Sequence, residues 1–362
     1  MAAAPGTRPG VPEEAKPARR YCLQADFAGL QTAIEARGWG DGLPVIPPTE
    51  NLVERMLERS PYAREHVLGI MEPVQGIVTV EKVAANAVMA GCVAEYFPVV
   101  LAAVRAVLQP QFHVGSGACT TGGAAPVVIV SGSLAEILGI NSRTACFGGN
   151  IKANATIGRA LRLSMRNLGG AKPDGMEKST LAWPGKISMC FAENEARSPW
   201  EPFRVDRGFA KESTTVSVVA ARGLYPLTEG VQNTGLGVLE TVAAGMRMVG
   251  APIYYQGKVP VVVNFSPEHA NEIARAGFTK QGVRNYLFEH CRLPAGVLRD
   301  RGYYTAGCWP QGIDENDDAA MVPIVSTPDH LWIVVAGGDG RHSAWMPAWN
   351  VCQGATEAVV TD

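Results

Sequence analysis

Residues 111–170 read QFHVGSGACTTGGAAPVVIVSGSLAEILGINSRTACFGGNIKANATIGRALRLSMRNLGG. Val127 to Val130, behind Pro126, is an unbroken apolar and β-branched run. Such a run reads as a strand apolar on both faces, buried between helical layers. Ser133-Leu-Ala-Glu136 matches a capping box, so a short helix is expected from Ser133, with Gly139 ending it. After Asn154, the residues Ile157, Leu161, Met165 and Leu168 share one face at helical spacing. Arg159, Arg162 and Arg166 share the other face, and Gly169 and Gly170 stop the helix. That arginine face reads either as a solvated or subunit-contact face or as an anion site.

The loop from Cys146 to Asn154 feeds the amino end of this helix, where free N–H groups and the helix dipole favour an anion. Asn150, Lys152, Asn154 and Arg159 are therefore candidate substrate-binding residues. No G-x-x-x-x-G-K-[ST] motif is present, and Gly115-Ser-Gly117 lacks the third glycine of a dinucleotide fingerprint.

Outward from this block, a helix is capped by Asp26, another by Thr49, and an Ala/Val helix runs from Thr79 to about Cys92. Pro98 opens a further helix to Leu108. The last two are apolar on most sides, which places them deep or at a subunit interface. Lys186–Phe191, Thr214–Ala220, Val259–Phe265 and Leu331–Ala336 read as strands, the last being the final one. Helices follow Ser266-Pro267 and Thr279. The segments starting at Pro126 and Pro260 share a plan of proline, apolar strand, serine-led cap and two helices. The expectation is an α/β fold with a central mixed or parallel sheet flanked by helices. It has two similar halves, 21–170 and 171–362, behind a disordered tail at 1–20. A site between the halves would bring the central loops near His269 and Glu193.

The 362 residues are 47% hydrophobic and 18% charged, with 40 glycines and a net charge of −2. That mix suits a loop-rich α/β enzyme and excludes a coiled coil or a basic nucleic-acid binder. No apolar run approaches the roughly 18 residues that span a bilayer, so no membrane partner is expected. With no apolar leader and eight scattered cysteines lacking a C-x-x-C pair, the thiols are expected reduced in a cytoplasm. No metal motif appears, and the sequence leaves the cofactor unknown.

Candidates for chemistry are few. Cys119 and Cys146 lie in glycine-lined loops and read as nucleophilic or redox thiols, or else as inert buried thiols. His342, after Gly-Gly-Asp-Gly, and His269, at a helix start, are candidate bases. Glu193 and Asn194 follow a strand, where α/β sheets place ligands.

The segments DGLPVIPPT (41–49), TVEKVAANAVMAGC (79–92), ANATIGRALRL (153–163), FAENEARSPWEP (191–202) and GGDGRHSA (337–344) resemble a widespread, poorly characterised bacterial family. The resemblance covers nearly the whole chain after the tail, and the chain departs from the family pattern at Cys119 and Trp183. It implies an association with a domain carrying a (seleno)cysteine-Gly-Ser-Cys motif, and hence thiol or selenol chemistry in a two-component enzyme. The expected function is an enzyme acting on a small anionic substrate by thiol-dependent, lyase-like or redox chemistry at a carbon–heteroatom bond. Glu193 or His342 would move protons. The alternative is a non-catalytic binding or scaffold subunit, with the apolar helices at 80–108 as its interface. Either a homo-oligomer or a partner-subunit complex is expected.

Overall fold

Among the described residues the strands sort into two four-stranded mixed sheets and two two-stranded antiparallel pairs. The computed structural model describes residues 15, 17–148, 151–173, 175–248, 250, 259–302, 309–349 and 351–361. The strands are β1 (Val67–Met71), β2 (Gly76–Thr79), β3 (Ala125–Ser131), β4 (Cys190–Ala192), β5 (Thr215–Ala221) and β6 (Tyr225–Thr228). They continue with β7 (Val261–Phe265), β8 (Arg292–Pro294), β9 (Met321–Pro323), β10 (Leu331–Val335), β11 (His342–Pro347) and β12 (Ala355–Ala358).

The first sheet runs β12-β5-β3-β4 and the second β10-β7-β11-β6; the two-stranded pairs are β1-β2 and β8-β9. In the first sheet β3 has β4 parallel on one side and β5 antiparallel on the other, with β12 antiparallel beyond. In the second, β7 has β10 parallel, β11 antiparallel and β6 antiparallel beyond. The senses match strand for strand. The edge strands are exchanged: β5 leads into β6 of the second sheet, and β11 leads into β12 of the first.

Alternation along each strand shows how the sheets stack. Val127 and Ile129 of β3, Phe191 of β4 and Val219 of β5 share an apolar cluster with Val262, Trp332, Val334 and Met346 of the second sheet. Their neighbours Val128, Val130, Val216 and Val218 instead join Val83, Val104 and Leu161 of the helices Val80–Ala90, Phe97–Leu108 and Lys152–Gly169. Val261, Val263 and Ile333 join Leu239, Ile273 and Leu287 of Gly235–Met246, Pro267–Arg275 and Lys280–His290. The order of layers is helices, sheet, sheet, helices. β3 is apolar on both faces as expected, but it lies between helices and a second sheet, since successive side chains point to opposite faces. The single central sheet of the sequence reading is replaced by two.

Other expectations change as well. A division at 170 runs between β3 and β4, which are neighbours in one sheet, so the halves interlock. The helices at 80–108 are covered within the chain, with Val83, Val99 and Val104 fully buried; the interface expected there is internal. Leu331–Val335 is followed by β11 and β12 rather than being last. Ser133 is the first residue of the helix Ser133–Ile137, whose cap is Gly132, and Thr214 Oγ1 accepts the Leu134 N–H instead. The expected tail lies mostly outside the described residues, but Ala18 N–H donates to Glu81 Oε2 at 2.9 Å and Arg20 pairs with Glu50. No single helix among the described residues is long and apolar enough to cross a membrane.

The long amphipathic helix starts at Lys152 and reaches the sheet through a glycine. A Cβ on Gly158 would run into Ser188 Oγ and stand 2.8 Å from the Met189 backbone nitrogen. Alanine is the better helix former by about 1 kcal/mol, but a clash with backbone beside β4 costs about 1–3 kcal/mol. Gly158→Ala is therefore expected to lower the urea midpoint despite its helix propensity; an unchanged or raised midpoint would contradict the close approach.

Candidate functional site

Parallel neighbours β3 and β4 end together, and so do β7 and β10. The two sets of carboxyl ends meet. Asn194 N–H donates to Val335 O at 2.7 Å, and its Nδ2 donates to Gly337 O at 3.2 Å. Gly337 N–H donates to Ser142 O at 2.8 Å, and Ala192 N–H to Asn141 O at 3.2 Å. Glycine is required where the loops cross: a Cβ on Gly338 would run into Thr144 Oγ1. Open α/β sheets place ligands beyond the carboxyl ends of their strands.

A cavity of about 620 Å³ opens there, lined among others by Ser133, Asn141, Arg143, Glu193, Glu195 and Arg204. Glu193 is buried, and its carboxylate is held tightly. Ser131 Oγ donates to Oε2 at 2.6 Å, and Phe203 N–H donates to both oxygens at 3.0 and 2.8 Å. These donors and the positive field of Lys280 favour the charged form. Burial outweighs them, with the nearby Glu195 adding to it, and raises the carboxyl to about 7. Glu195 is the contrasting member of the pair. Its Oε1 accepts from Gly132 N–H at 2.6 Å and from Arg204 Nη1 at 2.5 Å. Arg204 is itself buried and donates through Nε to Lys211 O at 2.9 Å. Two carboxyl groups are thus within reach of one serine hydroxyl, Glu193 closed off from water and Glu195 paired with Arg204.

The structure gathers some of the expected residues and not others. Glu193 and Asn194 line the cavity. Asn154 stands behind its wall: its Oδ1 accepts from Asn141 N–H at 2.7 Å, and its Nδ2 donates to Asn141 O and Cys146 O. It has no group left for substrate and acts as a positioning residue for the 141–146 loop. Lys152 is exposed on the first turn of its helix, next to the cavity-lining Ile151. Asn150 lies outside the described residues.

Arg159 is taken up elsewhere. It forms a bidentate pair with Asp41 at 2.8 and 2.7 Å and also donates to Leu43 O and Pro44 O. The arginine face is thus neither a solvated face nor, at Arg159, a substrate site; it clamps the extended segment after Gly40.

Cys146 is buried in the layer between the sheets, where burial pushes its thiol up to about 12. Burial there disfavours the thiolate that the expected nucleophile needs. Cys119 is half-buried and ends the short helix Val114–Cys119 rather than a flexible loop. His269 is buried between two partners, Ser343 Oγ at 2.8 Å from Nδ1 and Glu229 O at 3.0 Å from Nε2. Burial lowers its pKa, and both ring nitrogens are satisfied as a neutral imidazole, Nε2 donating and Nδ1 accepting. It does not line the Glu193 cavity. His342 is exposed on β11, with Nδ1 at 3.0 Å from Thr228 Oγ1, and it does not line the Glu193 cavity.

Sequence reasoning missed Ser131, Arg143 and Arg204. Ser131 carried a signal, a hydroxyl on the last residue of a buried apolar strand. Arg204 carried none, because nothing in the spacing of Glu195, Arg204 and Lys211 shows that their loop folds back onto Ser131. No protein-family model and no curated protein matches the chain.

The carboxyl of Glu193 has an ordinary value near 4.5 when unfolded and about 7 when folded, so the folded chain holds a proton that the unfolded chain releases between those pH values. Its contribution to stability is complete below about pH 4.5 and is lost as pH rises to about 7. Each pH unit between the two values is worth ~1.4 kcal/mol, a few kcal/mol at most in all. Urea unfolding of wild type and Glu193→Gln across this range should give curves that diverge as pH rises, with the variant gaining relative to wild type; parallel curves would remove the assignment. For the thiols, a disulfide reagent at about pH 8 should label Cys22 and Cys119 in the native fold and spare Cys92, Cys146, Cys190, Cys291 and Cys352. Rapid labelling of Cys146 would contradict its burial.

Proposed function

We propose that the chain is an enzyme that moves a proton on a small anionic substrate, in lyase-like chemistry at the carboxyl ends of β3 and β4, with Glu193 as the proton carrier. The observation that carries this reading is a buried carboxyl raised to about 7 in the wall of a cavity. A group poised near neutrality can take a proton from substrate as carboxylate and return it as carboxylic acid. Support for an anionic substrate comes from Arg143, which lines the cavity with a mostly exposed guanidinium while also pairing with Glu136 at 3.4 Å, and from the amino end of the helix beginning at Lys152. Glu195, held by Arg204 and the Gly132 N–H, stands close enough to Glu193 to disfavour its ionisation.

The thiol part of the sequence expectation is set aside for Cys146. For thiol or selenol chemistry of the kind the family resemblance implies, Cys119 remains the candidate in this chain, and a partner could supply it instead. The same reading treats the two sheets as related units, supported by their matching strand senses.

The test is proton exchange. Purified protein incubated in deuterated water with a panel of small carboxylic and carbonyl acids is followed by proton NMR. A substrate that exchanges or is cleaved should do so about 10²–10⁴-fold more slowly with Glu193→Gln, whose amide keeps the shape without the acid. Full turnover by a folded Glu193→Gln protein would end the proposal.

A further inference from the structure

A second cavity, of about 520 Å³, lies along the carboxyl-terminal half of the helix Lys152–Gly169, under the loop that returns to β4. Arg162 stands eleven residues beyond the Ile151 that borders the Glu193 cavity, about 16 Å along the helix. Four cations line the second cavity, Arg162, Arg166, Lys178 and Lys186, against two carboxylates, Asp41 and Glu177.

Those carboxylates are already committed. Asp41 is held by both arms of Arg159. Glu177 receives Lys186 Nζ on both oxygens at 2.7 and 2.8 Å, and the Ser179 hydroxyl as well.

The guanidinium of Arg162 is left short of acceptors although its side chain is only 10% exposed. Its Nε donates to Lys186 O at 2.8 Å, but among the described residues its terminal nitrogens reach only Glu177 Oε2 at 3.7 Å and Met165 Sδ at 4.0 Å. Arg166, one turn on, donates through Nε to Gly40 O at 2.7 Å and has no carboxylate partner among the described residues. Like charges four apart on a helix repel, and burial together with this neighbour lowers the pKa of Arg162. An anion between the two guanidinium groups would relieve both penalties.

We propose that this cavity binds a small oxyanion, a phosphoryl or carboxylate group, gripped by Arg162 and Arg166, on a molecule whose apolar part lies against Leu181 and Ile187. The arginine fork matches either oxyanion bidentately. Leu181 and Ile187 line the same cavity and are exposed, so an apolar substituent would cover them.

The test reads binding and needs no turnover. Inorganic phosphate and benzoate are titrated separately into the full chain by calorimetry, with ionic strength held constant by chloride. Saturable binding below about 10 mM is expected for at least one. Binding of phosphate alone identifies a phosphoryl ligand, and binding of benzoate alone a carboxylate. Arg166→Gln, half-buried and tied by a single backbone contact, should keep its fold and bind at least about tenfold more weakly, since it loses a charge-assisted fork. Arg162→Met should abolish binding; if that variant does not fold, Arg166→Gln decides alone. Absence of saturable binding of either anion, or equal binding by Arg166→Gln, overturns the proposal.

Discussion

The thin apolar layer between the two sheets is the constraint on which the rest of the structure depends. Val127, Ile129 and Phe191 on one side and Val262, Val334 and Met346 on the other exclude water from both inner faces. Each sheet then needs a second cover, because its outer face is apolar too, and the two helical layers provide it. The exchange of β6 and β12 ties the sheets at their edges, so neither sheet is complete without the other half of the chain. With the sheets held face to face, the carboxyl ends of β3, β4, β7 and β10 are brought together, and loops that cross there need glycine at Gly338.

Burial favours the neutral form of the titratable groups near this frame, offset to different degrees. For Glu193, three hydrogen bonds from Ser131 and Phe203 and the field of Lys280 fall short of the cost of taking a charge out of water. The carboxyl therefore balances between its two forms near neutrality. For Cys146 and His269 the same cost is not offset, and both are held in their neutral forms. Arg159 avoids the cost by pairing with Asp41, whereas Arg162 carries it with few acceptors in reach. Glu193 and Arg162, two positions where burial is incompletely compensated, each line a cavity.

Local order was legible wherever it depends on near neighbours. Asp26, Thr79, Ser266 and Thr279 each accept a backbone N–H at the start of the helix expected from them. The β3 run and the apolar stripe of Ile157, Leu161 and Met165 were read correctly for the same reason. The strand His342–Pro347 was not, because serine, alanine and proline dilute its pattern and only the ladders to β7 and β6 make it a strand. β12 is four residues long and exists through its pairing with β5. Of the site, the sequence pointed to Glu193 and Asn194 from their place after a strand, but not to Arg204.

By itself the sequence determined the class of the fold, the caps and faces of most helices, and the strand end that carries the carboxylates, since all of these follow from spacing and neighbours. Tertiary structure decided how many sheets there are and which thiols and histidines are closed off. It also set the partner of each arginine and the proton affinity of Glu193. The reason is physical: desolvation and long-range pairing depend on what is packed against a group, and Asp41 and Arg159, or Ser131 and Glu193, meet only after the chain has folded.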